Sequence, residues 1–170
     1  MRRILNDDSF TSAPRLKRGP LGSTSLYSQS VIIREAAHGD ASSLANLLGQ
    51  LGYPADARDL PRRLTRLTAR GSAVAFVAEL EGSVVGVATA HAFASIHAGH
   101  DVAWLTTLVV AQEARHRGVG RALVAAAEGW ARTHDCRRLS VTTALHREDA
   151  HAFYDRLGYQ HSGRRYTKTL

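Results

Sequence analysis

From residue 31 onward, apolar and polar positions repeat with the periods of regular secondary structure. Residues 31–34 read as a short strand. Residues 40–51 read as a helix with Leu44, Leu47, Leu48 and Leu51 on one face, closed by Gly52 and the turn Tyr53-Pro54. A second helix covers 59–69. Leu60, Leu64 and Leu67 form its apolar stripe, and Pro61 fits its first turn. Arg62, Arg63, Arg66 and Arg70 fall off that stripe and read as a solvated face. Two strands, 73–80 and 84–93, flank the hairpin loop Glu81-Gly82-Ser83. After a loop at 95–99 comes a third long strand, 102–110. Residues 118–134 form the strongest helix, with Val119, Leu123, Ala126, Ala127 and Trp130 spaced for one buried face. A strand at 138–143, a short helix at 149–157 ended by Gly158, and one or two strands within 159–170 complete the pattern. Antiparallel strands followed by a strand–helix–strand unit predict an α/β (α+β) fold: a mixed, mostly antiparallel central sheet with helices on both faces.

Residues 1–30 show no such periodicity, and Pro14, Gly19, Pro20 and Gly22 break any regular element. They read as a disordered N-terminal extension before a single domain at 31–170. Composition adds little to this picture. The 170 residues are 44% hydrophobic and 22% charged, as in an ordinary globular chain. No apolar run approaches the roughly 20 residues that cross a bilayer, so no membrane partner is expected. Cys136 is the only cysteine, which excludes an intramolecular disulfide and suits a reducing compartment. Asp7 and Asp8 stand where a signal peptide needs its apolar stretch, so the expected location is cytoplasmic.

Charge changes the picture more. The net charge is +7, and Lys17 and Lys168 are the only lysines. Arginine suits two-pronged recognition of oxyanions. Arg2, Arg3, Arg15, Lys17 and Arg18 against Asp7 and Asp8 give the first thirty residues +3 of that total. Nucleic acid is one partner such a balance suggests. Interleaved aromatics, a helix-turn-helix pattern and zinc spacing are all missing, so no specific nucleic-acid partner is expected.

The chemistry is concentrated after the third long strand. Leu105-Thr106-Thr107-Leu108-Val109-Val110 runs into a short loop, then Arg115-His116-Arg117-Gly118-Val119-Gly120-Arg121 opens the long helix. The first turn of a helix offers unpaired N–H groups and the positive end of its dipole. Glycines let a ligand approach the backbone. The N–H groups of His116 to Arg121, with the side chains of Arg115, Arg117 and Arg121, therefore suit a pyrophosphate. A P-loop needs Lys-Ser/Thr after its second glycine, and this chain has Arg121-Ala122. A dinucleotide fold needs a third glycine and a later acid. Here Leu123 takes the glycine's place, and the following strand ends in Thr142-Thr143.

The remaining pattern, R-x-x-G-x-G after a Val-rich strand, resembles the acetyl-CoA signature of the GCN5-related N-acetyltransferase (GNAT) superfamily. Ala150-His151-Ala152-Phe153-Tyr154 leading to Leu157-Gly158-Tyr159 is similar to its second signature. Ile32-Ile33-Arg34-Glu35-Ala36 with Asp40, then Leu47-Leu48 and Leu51-Gly52-Tyr53-Pro54, resembles its opening strand and helix. The likeness covers residues 31–170 in order. Arg147 departs from it, standing where many members have Asn.

The resemblance implies an acetyl-CoA-dependent N-acetyltransferase. Acetyl-CoA would serve as co-substrate, with no metal. Leu108, Val109 and Val110 would line the pantetheine arm, with backbone groups of Leu108 and Val110 pairing its amides. Residues 116–121 would take the pyrophosphate. Tyr154 matches the tyrosine that protonates the leaving sulfur. The histidine-rich stretch 91–101 reads as a roof over a compact pocket, which favours the primary amine of a small molecule. Protein N-terminal or lysine acetylation, and a non-catalytic acetyl-CoA-binding module, are the alternatives. His91, His97, His100 and His146 are candidates for the base, since an ordinary imidazole titrates near neutral pH. A homodimer is compatible with the resemblance, though no residue pattern demands one.

Overall fold

The computed structural model describes residues 30–170; the N-terminal extension read at 1–30 lies, but for Ser30, outside them. Strand β1 (Ile32–Glu35) leads through a 3-10 turn into helix α1 (Ala41–Gln50). Helix α2 (Leu60–Thr68) follows, then strands β2 (Ala73–Leu80), β3 (Ser83–Phe93) and β4 (Asp101–Val110). Helix α3 (Val119–Thr133), strand β5 (Cys136–Val141) and helix α4 (Glu148–Arg156) complete the chain. The five strands lie in sequence order, antiparallel except for the parallel pair β4–β5. The mixed sheet with helices is as the periodicity predicts. None of the described helices is long and apolar enough to cross a membrane.

The strands expected within 159–170 do not form. All of these residues but Tyr159 are exposed. Gln160 to Arg165 bring no apolar position that could alternate into a core, so nothing repays the ordering of a strand. Arg165 instead lies over the Trp104 ring, 5.6 Å from its centroid.

Alternation along the strands places the helices on opposite faces. Gly86 of β3 lies beneath α3; a Cβ there would stand 2.9 Å from Leu123 Cδ1. Val87, Thr89 and His91 point the other way, toward α1 and α2. The central strands are therefore covered on both sides, and Val77, Ala88 and Leu123 are fully buried.

One charge network fixes where α1 begins. Arg34 of β1 grips Asp40 with both guanidinium nitrogens at 2.8 Å and Glu79 of β2 through Nε at 2.8 Å. Asp40 also accepts the Ala37 N–H at 2.7 Å. Asp40 is buried, and the hydrogen bonds from Arg34 hold its carboxyl below the usual range. Its stabilising contribution is complete above an unfolded carboxyl pKa of about 3.9 and is lost as pH falls through the lower folded value. Asp40→Asn is expected to lower stability at pH 7 by about 1.5–3 kcal/mol. Urea unfolding of the two proteins should converge as the pH drops below about 4.

Candidate functional site

Strand β4 is a full partner of β3 but only half a partner of β5. Parallel pairing runs from Asp101↔Cys136 to Leu105↔Val141 and stops. On the other side, pairing with β3 continues to Val110↔Gly86. The register slips at Thr106, where Thr89 opposes Thr107 and Ala90 opposes Leu105. The extra residue makes a β-bulge, which bends β4 and ends its pairing with β5. Thr106 Oγ1 is tied to Thr89 Oγ1 at 2.8 Å.

The hydrogen-bond phase then decides which backbone groups face the gap. Ala111 N–H donates to Val85 O at 2.8 Å, so the alternate positions Val109 and Thr107 also bond to β3. Leu108 and Val110 therefore turn their N–H and C=O away from β3, toward the gap left by β5. Val109 turns its backbone to β3 and is itself buried, so between its neighbours it offers no free amide. Just past β5, Thr143 Oγ1 is buried without a hydrogen-bond partner among the described residues.

The loop beyond β4 brings the glycine turn to the same end of the strand. His116 has φ of +62° and Gly118 φ of +81°. Gly118 caps α3 in the left-handed region, and its C=O accepts the Ala122 N–H at 3.0 Å. The amides of Val119, Gly120 and Arg121 precede that first helical bond and have no partner within the helix. Gly120 also has a packing role. A Cβ there would meet the Phe153 ring at 3.3 Å, so this glycine lets α4 pack on α3. Arg115 and Arg121 are exposed, and Arg115 Nε approaches Val110 O at 3.4 Å. Arg117 is turned to the β2–β3 hairpin, 3.4 Å from Glu81. The three arginines are thus not one cluster.

Leu108, Val109, Val110 and Arg115 line an open cavity of about 470 Å³ with His146 and Arg147. Unpaired strand amides, a helix N-terminus and basic side chains at one end suit a ligand with amides and a diphosphate. Tyr154 is not among the lining residues. Its ring meets Phe153 at 5.1 Å and Tyr159 at 5.5 Å, both edge-on. Burial pushes its phenol up to about 12, against the opposing pull of Arg147.

A second open cavity, of about 690 Å³, lies on the α1–α2 face of the sheet. Thr89 and His91 of β3 and Thr106 and Thr107 of β4 line its floor. The roof comes from α1 and α2 and not from the histidine-rich stretch, which contributes only His91. His97 Nδ1 is paired with Ser95 Oγ at 3.1 Å, and His100 Nδ1 with Asp101 O at 2.9 Å. Arg63, Arg66 and Arg70 are exposed, as their reading as a solvated face expects, and they also line this open cavity. The available signal was four arginines on one helix face, with only Asp56 and Asp59 as acids nearby.

A mixed sheet split beside a glycine-capped helix defines the acyl-CoA N-acyltransferase fold. The chain belongs to the acetyltransferase (GNAT) family, whose sequence profile matches residues 42–159. It is an acetyl-transferring enzyme, and the family uses acetyl-CoA as co-substrate. The chain is 32% identical over 142 residues to an aminoglycoside N(6')-acetyltransferase type 1 of Stenotrophomonas maltophilia, covering 78% of this chain and 88% of that protein. It is 36% identical over 89 residues to an aminoalkylphosphonate N-acetyltransferase of Salmonella typhimurium, covering 52% of this chain and 58% of that one. The crystal structure of a Trypanosoma brucei acetyltransferase superposes with a TM-score of 0.71 at 24% identity, over 83% of this chain and all of that one. At that identity the likeness concerns the fold.

Gly118→Ala places a side chain in the left-handed region and should cost about 1–2 kcal/mol. Thermal unfolding checks this; because a Cβ there meets no atom within 4 Å, a deficit reflects backbone strain and not a clash.

Proposed function

We propose that the protein transfers the acetyl group of acetyl-CoA to the primary amine of a small molecule. One observation carries this reading: the two cavities border on consecutive residues of β4. Thr106 and Thr107 line one, and Leu108 to Val110 line the other. The roof of α1 and α2 over the larger cavity, built of leucines and arginines, favours a compact acceptor over an extended peptide.

Leu108 and Val110 supply the outward backbone groups that hold the pantetheine amides. Their N–H groups also stand ready to polarise an acyl oxygen, as oxyanion-hole donors do. Residues 116–121 and Arg115 hold the diphosphate. Bound acetyl-CoA supplies an activated thioester carbon. In the transfer a C–N bond forms, the C–S bond breaks, and the electron pair leaves on sulfur. Tyr154 gives its phenolic proton to that sulfur. His91 is the one imidazole lining the acceptor cavity, and it takes the proton that the amine nitrogen loses. Proton exchange with water restores both groups.

Tyr154→Phe is expected to lower kcat by about 100-fold or more, with coenzyme A affinity by calorimetry within about twofold of the parent. Equal turnover would remove the acid role. Absence of coenzyme A binding at micromolar concentration in the parent would sink the cofactor assignment.

The proton-donating form of Tyr154 prevails below its raised pKa of about 12. kcat/KM should therefore rise as the acceptor amine loses its proton and stay level to at least about pH 10. A thiol-release pH profile that falls between pH 8 and 9 would contradict this.

A further inference from the structure

We infer that the acceptor amine carries a second, anionic group, a phosphonate or phosphate, held by Arg63, Arg66 and Arg70. The inference rests on the small-molecule N-acetyltransferase reading and names its substrate class.

The larger cavity is lined by three guanidinium groups and by no carboxylate. All three come from α2 and the turn after it, at spacings of three and four residues, so they share one helix face. Like charges at those spacings destabilise a helix. The chain bears that cost with little relief. Asp59 stands 3.7 Å from Arg63, and both side chains are about half exposed. Among the described residues, Arg66 and Arg70 have no carboxylate within 4 Å. Arg62, the fourth arginine of the helix, does not line the cavity and is 82% exposed.

The rest of the lining sharpens the field. Leu44, Leu48, Leu60, Leu64 and Leu67 form apolar walls beside the arginines. A cleft with one sign of charge and low-dielectric walls concentrates the matching counter-ion. Three guanidinium groups fit the several oxygens and double charge of a phosphonate better than a single carboxylate. The opposite lining is polar and uncharged near Thr106 and Thr107, where β4 also borders the cofactor cavity. An amine at that end and an oxyanion at the arginine end describe a short, bifunctional substrate. The same field disfavours a polycationic acceptor.

The test compares four amines in a thiol-release assay with acetyl-CoA: 2-aminoethylphosphonate, β-alanine, propylamine and spermidine. The expected order of kcat/KM is phosphonate first and spermidine last, with the phosphonate at least tenfold above propylamine. Arg66→Gln/Arg70→Gln should raise KM for the phosphonate at least tenfold, with kcat and coenzyme A affinity within about twofold. Arg66→Glu/Arg70→Glu should invert the preference toward spermidine, which a merely structural role for these residues would not do. Calorimetric titration of 2-aminoethylphosphonate into the coenzyme A-saturated protein should show binding that the double Gln variant loses. Acetylation of propylamine or spermidine ahead of the phosphonate would overturn the inference while leaving the N-acetyltransferase reading intact. So would a double Gln variant with unchanged KM, or no phosphonate binding. β-Alanine ahead of the phosphonate would overturn the assignment of a doubly charged group. Failure of coenzyme A itself to bind would instead remove the underlying reading.

Discussion

Strands β4 and β5 pair in parallel as far as Leu105 and Val141 and then part, and the open edge of β4 with the cavity beside it depends on that parting. A strand buried between two neighbours has its amides spoken for. Here the bulge at Thr106 bends β4 while its bonds to β3 continue, so one edge stays paired and the other opens. The bonding phase then leaves Leu108 and Val110 with unused donors and acceptors. Leaving such groups without partners is unfavourable in a buried strand and useful in a cleft. The same bend puts two threonines toward α1 and α2, and hence into the second cavity.

The surrounding elements keep this opening in place. Helix α3 seats on Gly86 and starts at a left-handed Gly118, which directs its unpaired amides to the open end of β4. Helix α4 closes on α3 through the contact of Phe153 with Gly120, and Tyr159 donates to Glu128 at 3.1 Å. These contacts hold Tyr154 between two other rings, where burial keeps its phenol protonated. On the opposite face, the Arg34–Asp40–Glu79 network pins the start of α1 to the first two strands. Helices α1 and α2 can then stand over the sheet as a roof with a space beneath.

Positive charge is divided among these parts with different consequences. Arg34 is matched by two acids and serves the fold. Arg117 is matched by Glu81 across the hairpin. Arg115 stands beside the open edge of β4, and Arg66 and Arg70 face a cavity without acids. A net charge of +7 is thus less informative than the places where arginine lacks a counter-ion.

Much of the architecture was legible along the chain. The apolar periods located nine elements within one or two residues, because each must bury one face and that need repeats at 3.6 or 2 residues. The glycine motif after a Val-rich strand located the loop that closes on α3, since a left-handed cap leaves its mark in residue type. The tail at 159–170 misled, because β-prone residues such as Tyr166 and Thr167 form a strand only where a neighbouring edge and a buried face receive them. The sequence by itself determined which segments become helix and strand and where the left-handed glycine turn before α3 sits. Only the tertiary structure decided that Thr106 would bulge, that Val109 would turn inward, that Arg117 would leave its two neighbours for Glu81, and that arginines of α2 would line a cavity. Each of those depends on register or on contacts between residues far apart in the chain, and spacing along the chain does not encode such distances.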